Sequence, residues 1–112
     1  MIALHRVSDD EILLTLSRTV SPEEAEKVFQ RILATPYRKV TIDCSGVSQL
    51  DYPTLGKLYM FSLDLEIRKK KLALCGCTDG LRNSLNLLKL GEKFAMTADP
   101  PHGMQADAAN AR

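Results

Sequence analysis

The stretch from Val40 to Leu58 constrains this chain more than any other. Val40, Ile42 and Cys44 alternate with Thr41 and Asp43, which is the period of a strand with one face turned to a core. Ser45-Gly46 supplies a turn, and the segment after Asp51 reads as a helix predicted over Thr54 to about Lys69. The preceding residues decide how that strand is reached. Ile12-Leu13-Leu14-Thr15-Leu16 is strand-like, with Ile12, Leu14 and Leu16 on one face. Ser21-Pro22-Glu23-Glu24 then starts a helix: Ser21 caps it, Pro22 suits its first position and Glu24 completes a capping box. Ala25, Val28, Phe29, Ile32 and Leu33 give that helix one apolar stripe, and Thr35-Pro36 stops it. A strand–helix–strand order is satisfied by a right-handed parallel crossover.

The remaining segments extend this unit in both directions. Ile2 to Val7 is a short apolar start joined by Ser8-Asp9-Asp10 to the strand at Ile12, so the two are predicted to pair antiparallel. Lys71 to Cys75 is the next strand, and Gly76 to Gly80 is a loop. Leu81, Leu85 and Leu88 mark a helix started by Thr78 or Asp79 and ended by Gly91, with Phe94-Ala95-Met96 as a last edge strand. The expected fold is α/β, one domain over residues 1–98, with a mixed four- to five-stranded sheet packed with three to four helices. Residues 99–112 carry little bulky apolar surface and read as a flexible tail.

Composition limits function. A chain of 112 residues is one domain, and a net charge of +1 produces no field that implies nucleic-acid or anionic-membrane binding. No signal-peptide pattern and no membrane-length apolar run is present, which reads as a cytoplasmic protein without direct membrane insertion. Cys44, Cys75 and Cys77 are odd in number and lack a zinc spacing, so reduced core cysteines are expected rather than a disulfide framework or metal site. His5 and His102 stand near opposite ends of the chain, and no nucleophile–base pair can be assembled. Asp43 and Asp51 flank the turn and read as turn or capping residues, and Gly76 to Gly80 lacks the Lys of a phosphate-binding loop. Catalytic residues, cofactors and metals are therefore not expected.

Asp43-x-Ser45-Gly46-Val47, followed by Leu50-Asp51 and Leu55-Gly56-x-Leu58, resembles the STAS domain. That family comprises bacterial anti-sigma factor antagonists and related domains of sulfate transporters. Lys70 to Gly76 resembles the family's next strand, and Leu85 to Gly91 with Phe94 its leucine-rich helix, so the likeness covers roughly residues 2 to 98. The resemblance implies a non-enzymatic protein-binding module of a partner-switching system. In such antagonists the residue after the junction Asp is a Ser or Thr that a kinase-type anti-sigma factor phosphorylates. The added charge of about −1.5 to −2 expels the partner from the interface. An alternative partner is the ATPase of a lipid-transporting ABC system, with the chain as its accessory subunit.

At that position this sequence has Tyr52, followed by Pro53 and Thr54. A Ser/Thr-type kinase is not expected to accept Tyr52, which leaves Thr54 as the nearest hydroxyl for phosphorylation, or else a capping Thr. Tyr52 itself reads either as an aromatic packed over the helix start or as an interface anchor. The following helix is apolar over most of its circumference, with Lys57, Asp64 and Arg68 as a polar strip bordered by Met60 and Phe61. Asp51, Tyr52, Pro53, Thr54, Lys57, Met60, Phe61 and Asp64 are the expected partner-binding residues.

Overall fold

A computed structural model describes residues 2–87 and 95–97. The expected stop at Gly91, the positions Leu88 and Phe94, and the expected tail at 99–112 lie outside them. The described elements run β1 (Ile2–Arg6), β2 (Glu11–Leu16), α1 (Pro22–Leu33), β3 (Lys39–Asp43), α2 (Tyr52–Ile67), β4 (Lys71–Cys75), α3 (Asp79–Leu87) and β5 (Ala95–Thr97). The five strands form one sheet in sequence order, β1 antiparallel to β2 and every later pair parallel. This is the mixed α/β sheet expected from the sequence, with β5 at its edge.

Each parallel connection steps to the next strand in the same direction, so right-handed crossovers place α1, α2 and α3 on one face. The core agrees. Ile12, Leu14 and Leu16 of β2, Val40 and Ile42 of β3, and Leu74 of β4 form one cluster with Phe29 and Ile32 of α1, Leu55, Leu58, Phe61 and Leu65 of α2, and Leu81 and Leu85 of α3. Leu13 falls outside the one-face pattern but is also buried, on the opposite side of the sheet, where its register neighbours are His5 and Thr41.

Local chemistry fixes the helix ends. Ser21 Oγ accepts the Glu24 N–H at 3.1 Å, as the capping pattern requires, and the Glu24 carboxylate accepts the Ile2 N–H at 2.9 Å, tying α1 to β1. Thr78 Oγ1 accepts the Leu81 N–H at 3.2 Å, which makes Thr78 the cap of α3. At the C-terminus of α2, Lys69 N–H reaches Glu66 O and Lys70 N–H reaches Leu65 O at 3.0 and 2.8 Å, the paired bonds of a Schellman end. Lys69 occupies the left-handed position there, with φ 60°. Arg68 Nη1 donates to Asp64 O and complements this end, while Lys70 Nζ reaches across to donate to Thr35 O at 2.7 Å, just past the C-terminus of α1.

Candidate functional site

The junction between β3 and α2 is built from short side chains that cap their own backbone. Asp43 Oδ1 accepts the Ser45 N–H at 3.0 Å and turns the chain as β3 ends. Asp51 then adopts extended backbone, and its Oδ1 accepts the Thr54 N–H at 2.8 Å. This cap starts α2 at Tyr52, two residues before the expected Thr54, because the Asp51 carboxylate satisfies a helix-start donor and Pro53 needs none. The Thr54 hydroxyl and then the Thr54 N–H hold the Asp51 carboxyl below its ordinary value of 3.8.

The expected site residues separate into three environments. Asp51, Tyr52 and Pro53 stand exposed at the corner, with Tyr52 72% accessible, so its ring projects outward rather than packing over the helix start. Thr54 is the opposite case, only 2% accessible. Its Oγ1 lies near enough to Asp51 to influence the carboxylate electrostatically, yet it makes no hydrogen bond of regular geometry. The expectation of Thr54 as an available surface hydroxyl is corrected: the third residue of a capped helix that lies on a sheet points inward.

Lys57, Met60, Phe61 and Asp64 converge on a groove between α1 and α2, completed by Glu26, Phe29, Gln30 and Leu33, with a volume of about 220 Å³. Met60 is 56% accessible on its rim, whereas Phe61 is 2% accessible and forms its floor. Phe61 stacks on Phe29, with ring centroids 4.2 Å apart and planes 4° from parallel. The expected role of Phe61 as a surface contact is therefore also corrected, because α1 supplies the aromatic partner that covers it. Lys57 forms an ion pair with Glu26 across the two helices, half in solvent, where such pairs contribute about 0–1 kcal/mol.

Two features were not evident from the apolar count alone. Tyr52, Gly56 and Met60 recur every fourth residue on the exposed side of α2, and a Cβ at Gly56 would meet nothing within 4 Å. Tyr52 and Met60 thus lie about 12 Å apart along an open ridge. The corner is also braced from α3: Thr78 Oγ1 donates to Ser48 O, and Ser84 Oγ donates to Gln49 Oε1, both at 2.9 Å. The four-residue spacing was readable in the sequence; the brace joins segments some 30 residues apart and carried no local signal. Among the described residues no group of three or more His, Cys, Asp or Glu side chains could hold a metal ion, and no helix is long and apolar enough to cross a membrane.

A family model described as Mlab, STAS domain, matches residues 4–97, most of the chain. The chain belongs to the STAS family. A search of curated protein sequences returns no significant match. Among solved structures, this STAS chain is similar to the anti-sigma factor antagonist SpoIIAA of Bacillus in its unphosphorylated form, at 13% identity and TM-score 0.78, covering 98% of this chain and 97% of that one. It is similar to an anti-sigma-factor antagonist (STAS) domain protein of Planctomyces limnophilus at 16% identity and TM-score 0.76, covering 99% and 98%. It is also similar to SLC26A9 at 15% identity and TM-score 0.60, covering 91% of this chain and 20% of that one. At these identities the neighbours establish the fold. The family model and the fold place the Asp51–Thr54 corner in a STAS scaffold.

Proposed function

We propose that this STAS domain is a non-enzymatic regulatory module that binds a protein partner through the Asp51–Tyr52–Pro53 corner and the Met60 ridge of α2, in the manner of an anti-sigma factor antagonist. The observation that carries this reading is the corner itself: a rigidly capped helix start that presents an exposed aromatic instead of a small hydroxyl. Tyr52 brings large contact area at low conformational cost, the property of an interface anchor. SpoIIAA is known in unphosphorylated and phosphorylated forms. Here Tyr52 stands where a Ser is expected and Thr54 is enclosed, so the reading is a corner that binds without a phosphorylation switch.

A second partner class is favoured by one observation, the Mlab description of the matching family model. It supports the chain as an accessory subunit that docks on a transporter ATPase through the same corner. Affinity capture with the full chain, run beside Tyr52→Ala and Met60→Asp, tests both. Recovery of an ATP-binding anti-sigma kinase supports the first, and recovery of a transporter ATPase the second. In either case loss of capture in both variants is the expected result. Equal capture by all three chains would place the interface elsewhere.

A further inference from the structure

β1 stands first in the sheet order, and among the described strands only β2 pairs with it, so its outer side is an open edge. The direction of its main-chain groups is fixed at both ends. Val7 N–H donates to Glu11 O and so faces β2, whereas Ile2 N–H turns away from β2 to donate to the Glu24 carboxylate at 2.9 Å. Alternation along the strand then aims the N–H and C=O of Ala3 and His5 at β2 and those of Ile2, Leu4 and Arg6 outward. The side chains of these last three residues lie on the helix side of the sheet, since they stand opposite Leu16, Leu14 and Ile12. Ile2 is buried there, while Leu4 is 37% accessible and Arg6 is exposed.

Natural sheets blunt their edges with Pro, Lys, a bulge or a very short strand, because an open row of backbone groups pairs with any strand that fits it. β1 carries none of these devices: Ile2-Ala3-Leu4-His5-Arg6 matches β2 residue for residue over all five positions. β5, by contrast, is three residues long. We infer that β1 is a self-association edge, which pairs antiparallel with β1 of a second copy of this chain and joins the two sheets into one about a two-fold axis at Leu4.

The register follows from the outward groups. Leu4 N–H and C=O exchange hydrogen bonds with Leu4 of the second copy, which seats the axis between them. Ile2 of each copy then stands opposite Arg6 of the other, and Ala3 opposite His5, so no like charges meet. The two Leu4 side chains cover each other on the helix side. Arg6 of the second copy extends over Ile2 toward Glu24, whose carboxylate already sits at the Ile2 N–H. Glu24 passes from that N–H to the guanidinium, and Arg6 O accepts the Ile2 N–H in its place. Arg6 gives up an ion pair with Asp9 that stands in solvent, where such pairs are weak. β3, which carries the recognition corner at its end, lies two strands inward, so each copy keeps its Asp51–Tyr52–Pro53 corner open and the pair presents two.

Sedimentation equilibrium of the full chain at concentrations up to about 1 mM tests the pairing. The expected result is a mass that rises with concentration from 12.4 kDa toward twice that value, with amide exchange at Leu4 and Arg6 slowing as the dimer forms. Arg6→Glu sets two carboxylates against each other on both sides of the axis, and Glu24→Arg sets two guanidinium groups, so each variant alone should dimerise at least about tenfold more weakly. Mixed in equal amounts, the two variants again place opposite charges at both positions, and a heterodimer should form. Leu4→Pro deletes an outward N–H and no β1–β2 bond, and should also give a monomer. A parent that stays at 12.4 kDa throughout would overturn the inference. So would a dimer that survives both charge substitutions, or a mixture that stays monomeric while circular dichroism shows both chains folded. In the unsubstituted chain, where no variant can misfold, a dimer whose Leu4 and Arg6 amides exchange as fast as in the monomer would place the contact elsewhere.

Discussion

Replacing Phe61 separates two roles that its place in the sequence left open. On an apolar helix beside Met60, Phe61 is as plausible at an interface as in a core. The structure buries it under α1 against Phe29, with centroids 4.2 Å apart. Carbon atoms in contact lie about 3.5–4.0 Å apart, so nearly parallel rings at that centroid distance are slid across one another, the favourable offset arrangement. Phe61→Ala is therefore expected to cost about 3–5 kcal/mol, the range for a buried Phe. Against a total stability of about 5–15 kcal/mol, this is a large fraction but not necessarily all. Urea unfolding monitored by circular dichroism measures it, and the milder Phe61→Leu keeps the comparison possible if the Ala chain fails to fold. A double-mutant cycle using Phe29→Leu and Phe61→Leu should return a coupling of about 0.5–1.5 kcal/mol from the stacked pair. A Phe61→Ala chain within about 0.5 kcal/mol of the parent would refute the burial argument and restore Phe61 to the surface.

Thr54→Val removes the hydroxyl that helps hold the Asp51 carboxyl down, so the Asp51 pKa measured by carboxyl NMR should move up toward 3.8, and the stability that Asp51 ionisation supplies above that pH should shrink. An Asp51 pKa left unchanged by Thr54→Val would show that the hydroxyl does not act on the carboxylate. Asp51 contributes stability through ionisation: its folded pKa is depressed, so the contribution is present above its unfolded value of 3.8 and is lost as pH falls through the lower folded value. The stability difference between the parent and Asp51→Asn should accordingly shrink on acidification through that window. Lys69→Gly relieves a left-handed backbone position at the end of α2 and should stabilise by about 0.5–1 kcal/mol in the same unfolding assay.

Elements whose signal is local were legible in the sequence. Ser21-Pro22-Glu23-Glu24 announces α1 by its caps, and the alternation at Val40, Ile42 and Cys44 announces β3. The parallel crossover followed from their order, and the STAS likeness from the junction motif. Side-chain environments within α2 were not legible. Its apolar residues surround most of the helix, so no single stripe marks the buried side, and the choice between Met60 outside and Phe61 inside is made by Phe29, more than 30 residues away. Thr54 was ambiguous for a similar reason: a hydroxyl in the first turn faces solvent or core according to how α2 sits on the sheet. The bracing of Ser48 and Gln49 by Thr78 and Ser84 depends on the β3–β4 register.

The central claim, that the corner binds a protein partner without a phosphorylation switch, is tested most directly by titrating the captured partner's purified ATP-binding domain against the parent, Tyr52→Ala and Met60→Asp chains, with and without MgATP. Both substitutions fall on exposed side chains and should leave the fold intact, which circular dichroism checks. Each is expected to weaken binding by about tenfold or more, the scale of an interface anchor. Prolonged incubation with MgATP should leave the parent chain's mass and affinity unchanged. Undiminished binding by the two variants, or a phosphate on Tyr52 or Thr54 that abolishes binding, would contradict the account.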